Sequence, residues 1–320
     1  MLSRVADNLF WMSRYLERGE QIARALDTTF HLELDLHGVL AEPAEMEWSA
    51  LLRTLKQPPL PVLNEGDAET PLIQRVGRWL TLDTANGASI MTCINRSRNN
   101  ARSVRGSISP GMWRELNKLY WQLADEEFRS RVSDSPHDFC EAVLVGGQLF
   151  HGICYGTLTH DEGWHFIQLG KYLERAERIL NILEAKYQLL EGLDFTDLSL
   201  VNVQWGAVLK SCQAYEDYQR LHISRIEPSR VVEFLLLHPD FPHSVRFCLI
   251  KVVDSLRAIS GDSSYRSECI ALKTAGRLLS DLTYREMPEI LENGLPEFLH
   301  NNLNLCSQVT RGVLDQYTLH

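Results

Sequence analysis

Residues 14–27 read RYLERGEQIARALD and residues 171–184 read KYLERAERILNILE, one pattern written twice. Seven of the fourteen aligned positions are identical: Tyr15/Tyr172, Leu16/Leu173, Glu17/Glu174, Arg18/Arg175, Glu20/Glu177, Ile22/Ile179 and Leu26/Leu183. Arg14/Lys171 and Asp27/Glu184 keep their charge. The first copy sits in a longer helical pattern over 3–34. There Val5, Leu9, Met12, Leu16, Gly19, Ala23, Leu26 and Phe30 recur at three- and four-residue steps and make one apolar stripe. A repeat separated by about half the chain points to two pseudo-repeated halves, about 1–134 and 135–320, within one domain.

The remaining chain reads the same way. QPPLPVLNEGDAET (57–70) interrupts the helices, because prolines and glycine forbid a regular one. Short helices are expected near 45–56 and 71–80. Asp83–Asn86 offers caps for a helix over 87–106, and Ser109-Pro110 and Ser135-Pro136 open two more. Close helix approach is the expected use of Gly146, Gly147 and Gly152. The second YLER helix should run to about Leu190. Helices near 198–222, 228–237, 242–260, 263–284 and 296–317 then follow, and Asp240 and Pro242 are expected to cap the 242–260 helix. No period-two alternation with hairpin turns occurs, so the expected fold is an all-α multi-helix bundle.

Composition narrows the function. At 320 residues, 44% hydrophobic and 23% charged, the chain has the make-up of a globular protein. A net charge of −10 argues against a general nucleic-acid binder. The seven cysteines are scattered without a CxxC pair, which fits reduced core thiols and a cytoplasmic setting. No secretory signal and no run of about 20 apolar residues is present. No membrane association is expected.

On a helical wheel Glu20 and Asp27 fall at the margin of the apolar stripe, with Glu17 and Arg24 outside it and Arg18 on the opposite flank. Glu177, Glu184, Glu174 and Arg175 repeat this. Charges at a core margin need partners. Three uses stay open: an internal ion-pair network, carboxylates holding a cation or amine, and acid–base catalysis. NRSRNNARSVRG (95–106) places Arg98, Arg102 and Arg105 at i, i+4 and i+7 on one basic stripe, with Asn100 beside it. The guanidinium fork suits carboxylate or phosphate. These arginines would meet the Glu residues of the two copies, or an anionic ligand. Asp161 and Glu162, ahead of the second copy, read as helix N-terminal acids, with a metal role alongside His160 and His165 as the lesser reading. No HExxH, nucleophile elbow, GxGxxG or phosphate loop occurs, and neither a cofactor nor a metal is expected.

MLSRVADNLFWMSRYLERGEQIARALD, NRSRNNARSVRGSIS followed by MWRELN, DEGWHFIQLGKYLERAERI, and AYEDYQR…VVEFLLL…FPHSVR closely resemble the bacterial alpha-E domain family. The resemblance implies an all-helical fold with a Glu-Arg motif. It also implies a role beside circularly permuted ATP-grasp amide ligases and transglutaminase-like peptidases, in making or modifying a peptide or amide-linked product. It marks Arg14, Glu17, Arg18, Glu20, Asn100, Arg102, Arg105, Asp161, Glu162, Glu174 and Arg175 as motif residues. Gly19 stands where alanine is expected, and His243 where arginine is expected.

Two functional readings follow. The first is a non-catalytic accessory protein that holds a peptide or anionic small molecule, or the ligase itself, in a charged groove. The second is an enzyme using the Glu/Arg cluster for amide ligation or group transfer. A purely structural scaffold is the third and plainest. Under the first, Glu17, Arg18, Glu20, Glu174, Arg175 and Glu177 should converge on a cleft reached by Arg102 and Arg105. Homo-oligomerisation is compatible with all three.

Overall fold

The computed structural model describes residues 1–36, 43–57, 60, 70–133, 135–190, 198–222, 226–261 and 269–317. Among these it has fifteen α-helices and no strand, as the hydrophobic periodicity predicts. The chain forms two compact units, Tyr15–Leu158 and Met1–Arg14 with Thr159–His320. Their boundaries fall at 14/15 and 158/159, whereas the sequence repeat divides the chain near 134/135. The first helix, α1 (Ser3–Leu36), contributes to both units.

In the unit Tyr15–Leu158, α1 is followed by α2 (Pro43–Thr54), α3 (Leu72–Thr81), α4 (Ile90–Ser103), α5 (Pro110–Ala124), α6 (Glu126–Ser130) and α7 (His137–Thr157). Ser109 caps α5 by accepting from the Met112 amide at 3.3 Å, with Pro110 in the first turn, as the sequence predicts. The cap of α4 is Ser89, not the Asp83–Asn86 stretch. Asp83 and Asn86 instead accept from Ala85 and Ala88 two residues on, which makes local turns of their own. The apolar stripe of α1 meets α4 at Gly19, where an added Cβ would lie 3.3 Å from Ile94 Cδ1. Gly146 packs on Leu119 of α5 and Gly147 on Glu20 of α1, both close approaches. Gly152 is exposed with nothing within 4 Å, so close packing does not explain it.

The other unit adds α8 (Glu162–Leu190), α9 (Leu198–Ser211), α10 (Tyr215–Leu221), α11 (Pro228–Leu237), α12 (Val245–Ser260), α13 (Ile270–Tyr284), α14 (Met287–Glu292) and α15 (Leu295–Tyr317). Its core is apolar and continuous, joining Leu180 and Leu183 of α8 to Leu249, Leu278 and Cys306. Each such side chain contributes about 1.5–3 kcal/mol by leaving water. The helix expected over 198–222 breaks at Cys212–Ala214, where Gln213 takes a φ of 52° and the Ala214 amide closes onto the Leu209 carbonyl. Ser244, rather than Asp240 or Pro242, caps α12. Most of the 57–70 break lies outside the described residues. All seven cysteines are free and buried, as small core hydrophobes are. No helix among the described residues is long and apolar enough to cross a membrane.

Candidate functional site

The two YLER helices are buried almost all round, not along one stripe. This corrects the helical-wheel placement. Glu17 and Glu174, expected outside the core margin, are buried at 0% and 3% exposure. Asp27 and Glu177 keep partial exposure. A wheel assigns one inner face; a helix enclosed by neighbours on several sides has more than one, and its charged residues find partners in each direction.

In the unit of Met1–Arg14 and Thr159–His320, Arg14 is the hub. Its Nε donates to Glu174 Oε2 at 2.7 Å, its Nη2 pairs with Glu177 Oε2, and its Nη1 donates to Thr310 Oγ1 at 3.0 Å. Thr310 in turn donates to Glu177 Oε1 at 3.0 Å, closing the ring. The contact rests on a close crossing of α1 and α8. A Cβ on Gly170 would sit 2.2 Å from the Phe10 carbonyl oxygen and 3.2 Å from the Arg14 amide. Arg175 lies over Tyr172 and donates to the Pro242 carbonyl at 3.2 Å. Arg18 lies over Tyr15 at the same three-residue spacing. Asp161 caps α8 by accepting from the amides of Gly163 and Trp164, and Glu162 pairs with the N-terminal ammonium at 2.8 Å. His160 stacks on Trp164, and burial lowers the pKa of His165. Asp161 and Glu162 thus sit at the N-terminal end of α8.

In the unit Tyr15–Leu158, Glu17 and Glu20 share a histidine that sequence reasoning missed. His151 Nε2, on α7, lies 3.2 Å from Glu20 Oε2 and 3.8 Å from Glu17 Oε2. Gln21 donates to the other Glu17 oxygen at 2.6 Å. Gly147, one turn before His151, leaves room for the Glu20 carboxylate. Seven residues beyond Glu20 on α1, Asp27 Oδ1 lies 2.7 Å from Nδ1 of His137 on α7, with His31 4.0 Å from the same oxygen. The Asp27 hydrogen bond raises the pKa of His137. Both trios have their ligand atoms within 4.8 Å of one another. The signal available in sequence was Gly147 and His151 four residues apart on one helix, but nothing in sequence tied that face to Glu20.

Arg98 and Arg105 of the arginine stripe lie against aromatic rings. Arg98 donates to neutral Asn117 at 2.9 Å and lies 4.4 Å from the Tyr120 ring, with Trp113 and Trp121 within 6 Å. Arg105 lies 4.8 Å from the Trp113 ring. It is off the stripe's helix, because α4 ends at Ser103 and Arg105 begins a 3-10 turn. Arg102 and Arg105 are exposed, Asn100 is half-buried, and Trp121 is 60% exposed. Among the described residues, Arg98, Arg102 and Arg105 form no salt bridge. Within the units the described contacts form three groups: the Arg14 ring, the Glu17–Glu20–His151 trio and an arginine–aromatic ledge.

The whole chain, residues 1–318, matches the family described as Alpha-E, a predicted alpha-helical domain with a conserved ER motif. The chain belongs to the Alpha-E family. Similar to it are the uncharacterized proteins Mb2597 of Mycobacterium bovis, at 25% identity, and Rv2567 of Mycobacterium tuberculosis, at 24%; each alignment covers 98% of this chain. The chain spans 36% of the length of these relatives, so the Alpha-E region is a part of each. No solved structure matches. The ER dipeptides of this Alpha-E chain, Glu17-Arg18 and Glu174-Arg175, each put the glutamate into a buried polar cluster and the arginine over a tyrosine.

Proposed function

We propose that this Alpha-E domain is a non-catalytic binding module that works with an ATP-grasp amide ligase, holding an anionic peptide or small molecule for amide-bond synthesis or modification. The observation that carries the reading is a ledge where half-buried Arg98 and exposed Arg105 lie against Trp113, Tyr120 and Trp121, with exposed Arg102 on the same stretch; none of the three cations has a carboxylate partner among the described residues. In a chain of net charge −10, three arginines without a salt bridge among the described residues are a local reserve of positive charge. A guanidinium beside a ring keeps N–H groups available for carboxylates, and the rings add apolar area for a peptide. The family resemblance supplies the ligase as the partner, and a transglutaminase-like peptidase as a further one. The greater length of the mycobacterial relatives fits a domain that works joined to others.

Substitution of Arg102 tests the proposal. Arg102→Ala should abolish binding of an acidic peptide or of the ligase and leave the melting temperature nearly unchanged, as for other exposed positions. A large fall in melting temperature with intact binding would assign the arginine to internal structure instead.

A further inference from the structure

We infer that Glu17, Glu20 and His151 form a binding site for one divalent first-row transition-metal cation. This departs from the sequence expectation of no metal, which was made without His151. Two carboxylates and an imidazole are a donor set that suits manganese, iron or zinc ions. Their oxygens and nitrogen come from two helices and lie within 4.8 Å of one another. A cation 2.0–2.2 Å from each ligand sets adjacent donor atoms about 3.0–3.5 Å apart. His151 Nε2 stands 3.2 Å and 3.8 Å from the two carboxylate oxygens, so a small closure brings all three into range.

The surroundings are built for ligation. His151 Nε2 faces both carboxylates, the arrangement a cation between the three would use. Gln21 holds the far oxygen of Glu17 and leaves Oε2 facing His151, the outer hydrogen bond that orients a ligating carboxylate. Glu20 lies where a Cβ at position 147 would be 1.7 Å from its Oε1, so Gly147 is a cradle shaped around that carboxylate. The Asp27–His31–His137 trio is more exposed and serves as the internal comparison.

The untagged protein, dialysed against chelator, is titrated with Mn²⁺ and with Zn²⁺ by calorimetry, and its metal content is measured after buffer exchange. The site predicts one equivalent per chain and a rise in melting temperature. Glu20→Gln and His151→Gln should each weaken uptake by at least roughly tenfold, while His137→Gln changes nothing. No uptake by the wild type overturns the inference, as does uptake that survives both substitutions or is lost in His137→Gln. Should the substitutions unfold the protein, the wild-type Co²⁺ spectrum decides. Weak visible bands without thiolate charge transfer support nitrogen and oxygen ligands; a thiolate band places the ion at a cysteine and overturns the site.

Discussion

Replacing Gly147 with alanine drives a methyl group into the Glu20 carboxylate. The new Cβ would lie 1.7 Å from Oε1, 2.4 Å from Cδ and 2.7 Å from Cγ. Turning the carboxylate moves the first atom only; Cγ stays too close, so the whole side chain must change rotamer or α7 must move away. Neither is cheap, because Glu20 is buried and held by His151. Overpacking of this kind costs about 1–3 kcal/mol. Loss of the charged hydrogen bond adds roughly 1.5–3 kcal/mol. Alanine's better helix propensity offsets about 1 kcal/mol. The net loss is on the order of 3 kcal/mol, or roughly 6–12 °C in melting temperature for a unit of this size. Calorimetric melting measures it, with Gly152→Ala as the control on the same helix. Gly152 has nothing within 4 Å, so its substitution should stabilise by up to about 1 kcal/mol. If Gly147→Ala stabilised as much as Gly152→Ala, Glu20 would not lie against α7 and the trio would not exist.

Further outcomes are expected elsewhere. Arg14→Ala strips one cation from Glu174, Glu177 and Thr310, and breaking this buried pairing should cost about 3–5 kcal/mol in urea denaturation. Arg14→Lys should recover only part of this, because an ammonium lacks the fork that serves three acceptors at once. Gly170→Ala pushes against the Phe10 backbone carbonyl, which cannot swing aside as a side chain can, and should destabilise by about 1–3 kcal/mol in the same assay. Asp27 raises the folded-state pKa of His137 above its ordinary 6.5. The pair's stabilisation is therefore complete below that pH and is lost as pH rises through the raised value. Melting curves across that window should show the loss in the wild type and not in His137→Gln; the effect is small, since the imidazole is 44% exposed.

Much of the fold was legible because helix periodicity and caps are local. Ser109-Pro110 opened α5 where the sequence placed it, and the second YLER helix ended at Leu190. Errors came where a local rule met a tertiary choice. Ser89 took the cap from Asp83–Asn86, and the chain turned at Gln213 inside an otherwise helical pattern. The site was half legible. That Glu17, Glu20, Glu174 and Glu177 need partners followed from their place on apolar helices. Which partners they take did not, because Arg14, Thr310 and His151 arrive through contacts more than 130 residues apart in sequence. The arginine stripe looked like the natural counter-charge, yet Arg98 and Arg105 lie against aromatic rings of α5 and, with Arg102, form no salt bridge among the described residues.

The most direct test of the binding-module account is to purify the protein with a circularly permuted ATP-grasp ligase, the proposed partner, and to follow complex formation and ATP-dependent amide formation with and without it. The account predicts a stable complex and amide synthesis that depends on both proteins. It also predicts that both are lost when Arg102→Glu and Arg105→Glu are introduced into a protein that still melts as the wild type does. Turnover of substrate by this protein alone, or full complex formation and synthesis by the doubly substituted protein, would contradict it.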